Sequence, residues 1–181
     1  MKLLMDMNWL TDFVDERTLN GFSCDEWSMP KHDIRVLERC RGLCRENKCG
    51  HYGTNWGCPP GFDLDLGVFL EKYSRAFMLK RRFTVDVTDA DSVRSIAREV
   101  QETIRNVMTE IRSKGVECQG FADGGCTYCG ECSYPEACRF PSALVPSISS
   151  IGLDMEVYAK DNGEEFAFEK DAVTMYGLLL L

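Results

Sequence analysis

Four of the ten cysteines fall within thirteen residues, in Cys126-Thr-Tyr-Cys129-Gly-Glu-Cys132-Ser-Tyr-Pro-Glu-Ala-Cys138. Two-residue gaps separate the first three, and five residues lead to the fourth. A C-x2-C-x2-C run with a further cysteine nearby lets one short loop wrap an iron–sulfur cube, each sulfur reaching a different iron. Such iron takes anionic sulfur as its terminal ligand, which is why thiolates are needed. Gly124, Gly125 and Gly130 give the backbone freedom to turn N–H groups towards cluster sulfides. The pattern points to a metal site, and to iron–sulfur before zinc, because structural zinc is usually held by cysteines paired two and two.

A second quartet precedes it: Cys40, Cys44, Cys49 and Cys58, in the spacing C-x3-C-x4-C-x8-C. The three-residue gap puts Cys40 and Cys44 on one face of a helix, so a helix over 33–44 is expected to deliver two thiolates to one point. Pro59 and Pro60 end the loop in an extended exit. His51 is the nearby imidazole able to substitute for a thiolate. In two-cluster ferredoxins the cysteine before proline ligates the other cluster. Two pairings therefore compete: each quartet closes its own site, or Cys58 and Cys138 exchange. Lys31, Arg35, Arg39, Arg41, Arg45 and Lys48 surround the first quartet, and Arg139 follows the second. They read either as a solvated face that offsets thiolate charge or as a patch for an anionic substrate or acidic partner, with Arg35, Arg41, Arg45 and Arg139 the candidates to hold that ligand.

These motifs need a scaffold, and an α+β fold with an α/β-like core is expected over one domain of 181 residues. Residues 1–61 carry the first motif, 62–122 the core, and 123–181 the second motif with terminal helices and strands. Leu3, Leu4, Met7 and Leu10 have helical spacing; the rest of residues 1–30 gives no sustained period. Residues 62–73 read as a short helix with Asp63 as N-cap, and 75–85 as a strand. Asp89 or Asp91 caps the clearest helix, whose apolar stripe runs through Val93, Ile96, Ala97, Val100, Ile104, Val107, Met108 and Ile111. Gly115 closes it and a strand follows over 116–122. Strand, helix and strand make a βαβ unit whose two strands share a sheet, and the second strand delivers the chain into the tight cysteine loop. Ser142 would cap a short helix to Ile151. Residues 153–162 read as helix, with strand as the rival, and 165–169 with 172–181 as a hairpin. Cys24 and Cys118 read as buried thiols rather than ligands.

Composition bounds the function. The hydrophobic share of 44% allows an ordinary core, and the formal charge of −8 argues against general nucleic-acid binding. The amino terminus lacks a signal-peptide core and no stretch is long enough for a membrane helix, so a cytoplasmic protein is expected, with cysteines serving metals rather than disulfides. With two histidines, no glycine-rich nucleotide loop and no Walker loop, acid–base or nucleotide chemistry has little support.

Taken together, Cys40, Cys44, Cys49, Tyr52, Trp56 and Cys58-Pro-Pro, then Gly125-Cys126-x2-Cys129-x2-Cys132-x5-Cys138-Arg139-x-Pro141, Pro146-Ser147 and Gly152-Leu153-Asp154, resemble the two motifs of a family of predicted bacterial and archaeal metal-binding proteins of unknown function. The resemblance covers roughly residues 35–181 and implies metal binding, iron–sulfur in particular. The expected cofactors are two [4Fe-4S] clusters, with zinc as the alternative. The expected role is electron transfer, alone or for a larger redox enzyme, with a ferredoxin or flavodoxin as partner. Two other readings stand beside it. One is an enzyme whose open cluster site binds an anionic substrate, marked by an arginine-lined pocket beside the cysteines. The other is a non-redox scaffold stapled by metal.

Overall fold

The structure, a computed structural model, describes residues 14–181; the helical spacing of Leu3 to Leu10 lies outside them. Its elements are α1 (Glu16–Leu19), β1 (Ser23–Trp27), α2 (Ile34–Arg45), α3 (Leu66–Leu70), β2 (Ala76–Thr84), α4 (Ala90–Ser113), β3 (Gln119–Ala122), 3-10 turns at Pro141–Ala143 and Ile148–Ile151, α5 (Met155–Asp161) and β4 (Ala172–Leu180). The fold is α+β. One sheet has the order β1-β2-β4-β3, and every neighbouring pair is antiparallel. The expected βαβ unit is therefore split: β2 and β3 run the same way in one sheet, and β4 lies between them.

Side chains alternate across this sheet into two cores. Phe77, Leu79, Met175 and Leu179 face α4, together with its buried Val100, Ile104, Val107, Met108 and Ile111. Ala76, Met78, Tyr176, Leu178 and Leu180 face the other way, against Ile148, Ile151, Leu153 and Tyr158. Because both faces are covered, β4 ends in a nearly unbroken apolar run instead of a clean alternation. Asp89 caps α4, accepting from the N–H groups of Asp91 and Ser92. The helix comes close to the sheet where side chains are missing. A Cβ on Gly120 would lie 2.6 Å from Ile104 Cγ2, and one on Gly177 would collide with the same side chain. Ile104 thus sits in a groove made by two glycines on adjacent strands.

Several expected boundaries change for identifiable reasons. The 165–169 segment is not a strand and does not pair with β4, which β2 flanks along its whole length and β3 flanks only at Gly177–Leu180. Its Glu169 instead pairs with Arg82 at 2.6 Å. Asp65, not Asp63, caps the short helix α3. The helix expected from Ser142 to Ile151 breaks into two 3-10 turns around Pro146, whose predecessor resists helical geometry. Between the turns, the Pro146 carbonyl accepts the Ala122 N–H at 3.0 Å, so the chain adds to the edge beyond β3. Residues 155–161 are helix, capped by Asp154. Only 119–122 of the expected 116–122 strand pairs. β1, in the stretch without a period, supplies the opposite edge, with Cys24 half-buried against the core. Cys118 is buried on the α4 side. No helix among the described residues is long and apolar enough to cross a membrane.

Asp123 ties the end of β3 to β4. Its carboxylate accepts the Tyr176 N–H at 2.8 Å, and its own N–H donates to the Tyr176 carbonyl at 3.0 Å. Burial pushes this carboxyl up to about 6, against the opposing pull of the Tyr176 N–H. An unfolded aspartate ionises near pH ~4, so the folded form keeps its proton longer. Stability from this group is greatest below that pH and is lost as pH rises towards the folded value. The Asp123→Asn variant keeps the acceptor and removes the titration. In urea unfolding, its stability relative to wild type should rise by ~1 kcal/mol between about pH 5 and 7; a constant difference would contradict this.

Candidate metal centre

Two loops, each leaving a different element, meet at the β3 end of the sheet. The first grows out of α2. Asp33 caps this helix by accepting the Arg35 N–H at 2.9 Å. The helix packs through Leu37 so tightly on the turn at Gly152 that a Cβ there would lie 2.8 Å from Leu37 Cα. Cys40 is buried and Cys44, one turn later, is half-buried. The chain then reverses at Asn47, whose backbone is left-handed (φ 53°) and whose side chain accepts the Tyr52 N–H at 3.0 Å. Cys49 is exposed and Cys58 is buried. The second loop leaves β3 through Asp123, Gly124 and Gly125, as its place after a strand led one to expect. Its four cysteines are all half-buried.

The loops are stitched together by main chain. Trp56 Nε1 donates to the Glu136 carbonyl at 2.8 Å, and its ring meets Tyr134 edge-on with centroids 5.2 Å apart. The Gly57 carbonyl accepts the Ser147 N–H at 2.8 Å. A Cβ on Gly57 would lie 2.7 Å from both the Cβ and the N of Cys126, and one on Gly125 would lie 3.0 Å from Cys58 Sγ. Each motif therefore carries a glycine beside a cysteine, and each glycine makes room for the cysteine of the other motif.

Cys126, Cys129, Cys132 and Cys138 line one narrow pocket, walled by Trp56, Tyr128, Phe140 and Leu144. In the first motif, burial raises the Cys40 and Cys44 thiols; Asp154 and Cys44 add to the first, and Cys49 to the second. Cys58 is pushed up to about 12, chiefly by burial, with Cys49, Cys44 and Cys126 adding repulsion and an Asn55 hydrogen bond opposing it. A group so placed stays a neutral thiol unless a cation replaces the proton. All ten cysteines are free thiols. The soft donors, the absence of cross-links among them and a shared pocket fit a thiolate-bound metal group. Among the described residues, no three Cys, His, Asp or Glu side chains converge closely enough for a single ion.

The arginines marked by sequence divide in their roles. Arg35 pairs with Asp33 at 2.9 Å at the start of α2. Arg41 donates to the Asp63 carbonyl, and Arg139 to the Glu131 carbonyl. The positive charges of Arg41 and Arg45 pull against the rise of the Cys44 thiol. Lys31, Arg39 and Lys48 are paired with Asp161, Asp154 and Glu46. Much of the basic group therefore balances neighbouring carboxylates and main-chain carbonyls.

Three residues that the motifs did not flag complete the site. Arg105 is 7% exposed, with Nε donating to the Ala143 carbonyl at 2.9 Å, one amino group 3.9 Å from Cys126 Sγ, and the guanidinium 4.8 Å from the centroid of the Tyr128 ring. Gln101, one turn earlier and fully buried, donates to the Gly124 carbonyl at 3.2 Å. The available signal was this polar pair beside Val100 and Ile104, on the flank of the apolar stripe. Asn55 is also buried, and its Oδ1 accepts the Gly57 N–H at 2.9 Å.

The chain belongs to the family described as predicted metal-binding protein (DUF2284), whose model matches residues 28–181. Neither the comparison with curated proteins nor that with solved structures gives a match. The glycine contact between the motifs generates a direct test. Gly57→Ala drives a methyl group into Cys126, and overpacking of this kind costs ~1–3 kcal/mol. Denaturant unfolding should report that loss, accompanied by reduced metal content; unchanged stability and content would show that the two motifs are not held together at this point.

Proposed function

We propose that this metal-binding chain carries iron–sulfur centres, two [4Fe-4S] clusters, and works in electron transfer, alone or as the electron-delivering part of a larger redox enzyme. The observation that carries the reading is the shared pocket of Cys126, Cys129, Cys132 and Cys138. A cluster's thiolates each hold a different iron and so surround a volume, which suits four sulfurs around a pocket. Cys40, Cys44, Cys49 and Cys58 are the residues to hold the second centre. The nearness of Cys58 to Cys49 and Cys44 supports this local pairing, and its nearness to Cys126 is consistent with two neighbouring centres. When bound, such centres supply one-electron chemistry.

The remaining residues do the protein's share. Trp56, Tyr128, Phe140 and Leu144 wall the pocket of the second quartet with apolar surface. Arg105 sets a positive charge beside the sulfur of Cys126, where it would offset the negative charge of a bound centre. Hydrogen bonding, charge and exposure of this kind set a centre's potential. Tyr128 and Phe140 meet edge to face at 5.1 Å and stay about half exposed. They offer an apolar rim where a redox partner of the ferredoxin or flavodoxin type can come close to the second centre.

Anaerobically purified protein should contain about eight irons per chain and show a broad absorption that bleaches on reduction. Cys129→Ala and Cys44→Ala should each empty a different centre, read by iron content and electron paramagnetic resonance. Stoichiometric zinc with no colour, or no redox signal between about −700 and +450 mV, would overturn the reading. In that case, unfolding of the cysteine loops on chelation would mark a zinc staple instead.

A further inference from the structure

A cleft of about 530 Å³ lies between the first half of α4 and the two cysteine loops. That volume is in the range of small-molecule sites. Its floor is the close approach of α4 to the glycine turn, where a Cβ on Gly124 would stand 3.4 Å from Ala97 Cβ. Arg94 and Arg98, one helical turn apart, line one wall; His51 lines another, and Cys126 and Cys132 share the lining. Among the described residues no carboxylate lines the cleft, in a chain of formal charge −8. Arg94 has an exposed ion-pair partner in Asp91, whereas Arg98 makes no hydrogen bond or ion pair among the described residues.

We propose that this cleft binds a small oxyanion, a molecule presenting a phosphoryl or carboxylate group, with Arg98 and Arg94 as its principal contacts. Guanidinium groups match both anions through paired N–H donors. The surroundings set this pair apart from an ordinary solvated helix face. A solvated face normally mixes both signs of charge along its length, and here two arginines and a histidine stand around one concavity with no acid in its wall. Thr54 and Asn55 add neutral polar groups to the lining. Because Cys126 and Cys132 share the lining, the anion would lie next to the second metal centre. Its place as a substrate or ligand of that centre rests on the iron–sulfur reading above; the anion site itself does not. The arginines that line this cleft thus come from α4, not from the basic residues around the first motif.

Titration calorimetry of the full chain at low salt, with inorganic phosphate in one arm and malonate in the other, tests this directly. Saturable binding in either arm, weakened at least ~10-fold by Arg98→Gln and further in the Arg94→Gln/Arg98→Gln double variant, is the expected result. Arg35→Gln, an exposed arginine outside the cleft, should leave binding unchanged. The arm that binds more tightly names the anion. Binding in neither arm, equal binding in the double variant, or an equal loss with Arg35→Gln would overturn the proposal. Metal content is measured on each sample. An absence of metal removes the iron–sulfur reading and leaves the calorimetric result to stand or fall by itself. With metal present, phosphate or malonate should perturb the paramagnetic signal of the wild-type centre and not that of the double variant.

Discussion

Everything at this end of the molecule depends on the backbone approach of Gly57 to Cys126 and of Gly125 to Cys58. Two loops distant in sequence can put their cysteines side by side only if main chain, not side chain, fills the contact. Glycine is the residue that allows it. The contact is backed by hydrogen bonds that do not depend on side-chain identity, such as Ser147 N–H to the Gly57 carbonyl, and by the Trp56–Tyr134 ring contact. With the two loops already held together, a metal group bound there as proposed would cost less ordering entropy.

The sheet and α4 supply the rigid base. Ile104 fills the groove over Gly120 and Gly177, which locks the helix against β3 and β4 close to where the second loop begins. From that fixed helix three polar side chains reach outward. Gln101 holds the Gly124 carbonyl, Arg105 reaches Ala143 and Cys126, and Arg112 donates to the carbonyls of Cys118 and Ser142. One helix therefore packs the core with its apolar stripe and braces the metal loop with the flank of that stripe. Its first turns, bearing Arg94 and Arg98, border the adjacent cleft.

Burial near the cysteines works against their ionisation, and the raised Cys40, Cys44 and Cys58 thiols record it. The charges that oppose this rise come from Arg39 at Cys40 and from Arg41 and Arg45 at Cys44, while the Asn55 hydrogen bond opposes it at Cys58. The basic cluster around the first motif therefore has a local electrostatic reason to exist. Several of its members are further spent on Asp33, Asp154 and Asp161.

The sequence by itself determined the two cysteine quartets, the helix carrying Cys40 and Cys44, the long amphipathic helix with its cap narrowed to Asp89 or Asp91, and the delivery of the second loop by a strand. All of these are local: they follow from spacing, periodicity and capping within a few turns of chain. Only the tertiary structure decided that β4 enters between β2 and β3 and that residues 165–169 stay outside the sheet. It also decided that Cys58 adjoins Cys126, that Arg105 is buried against the second loop and that Arg94 and Arg98 border a cleft. Those outcomes depend on contacts between residues 21 to 104 positions apart, where side-chain volume, and at glycine its absence, decides what can approach.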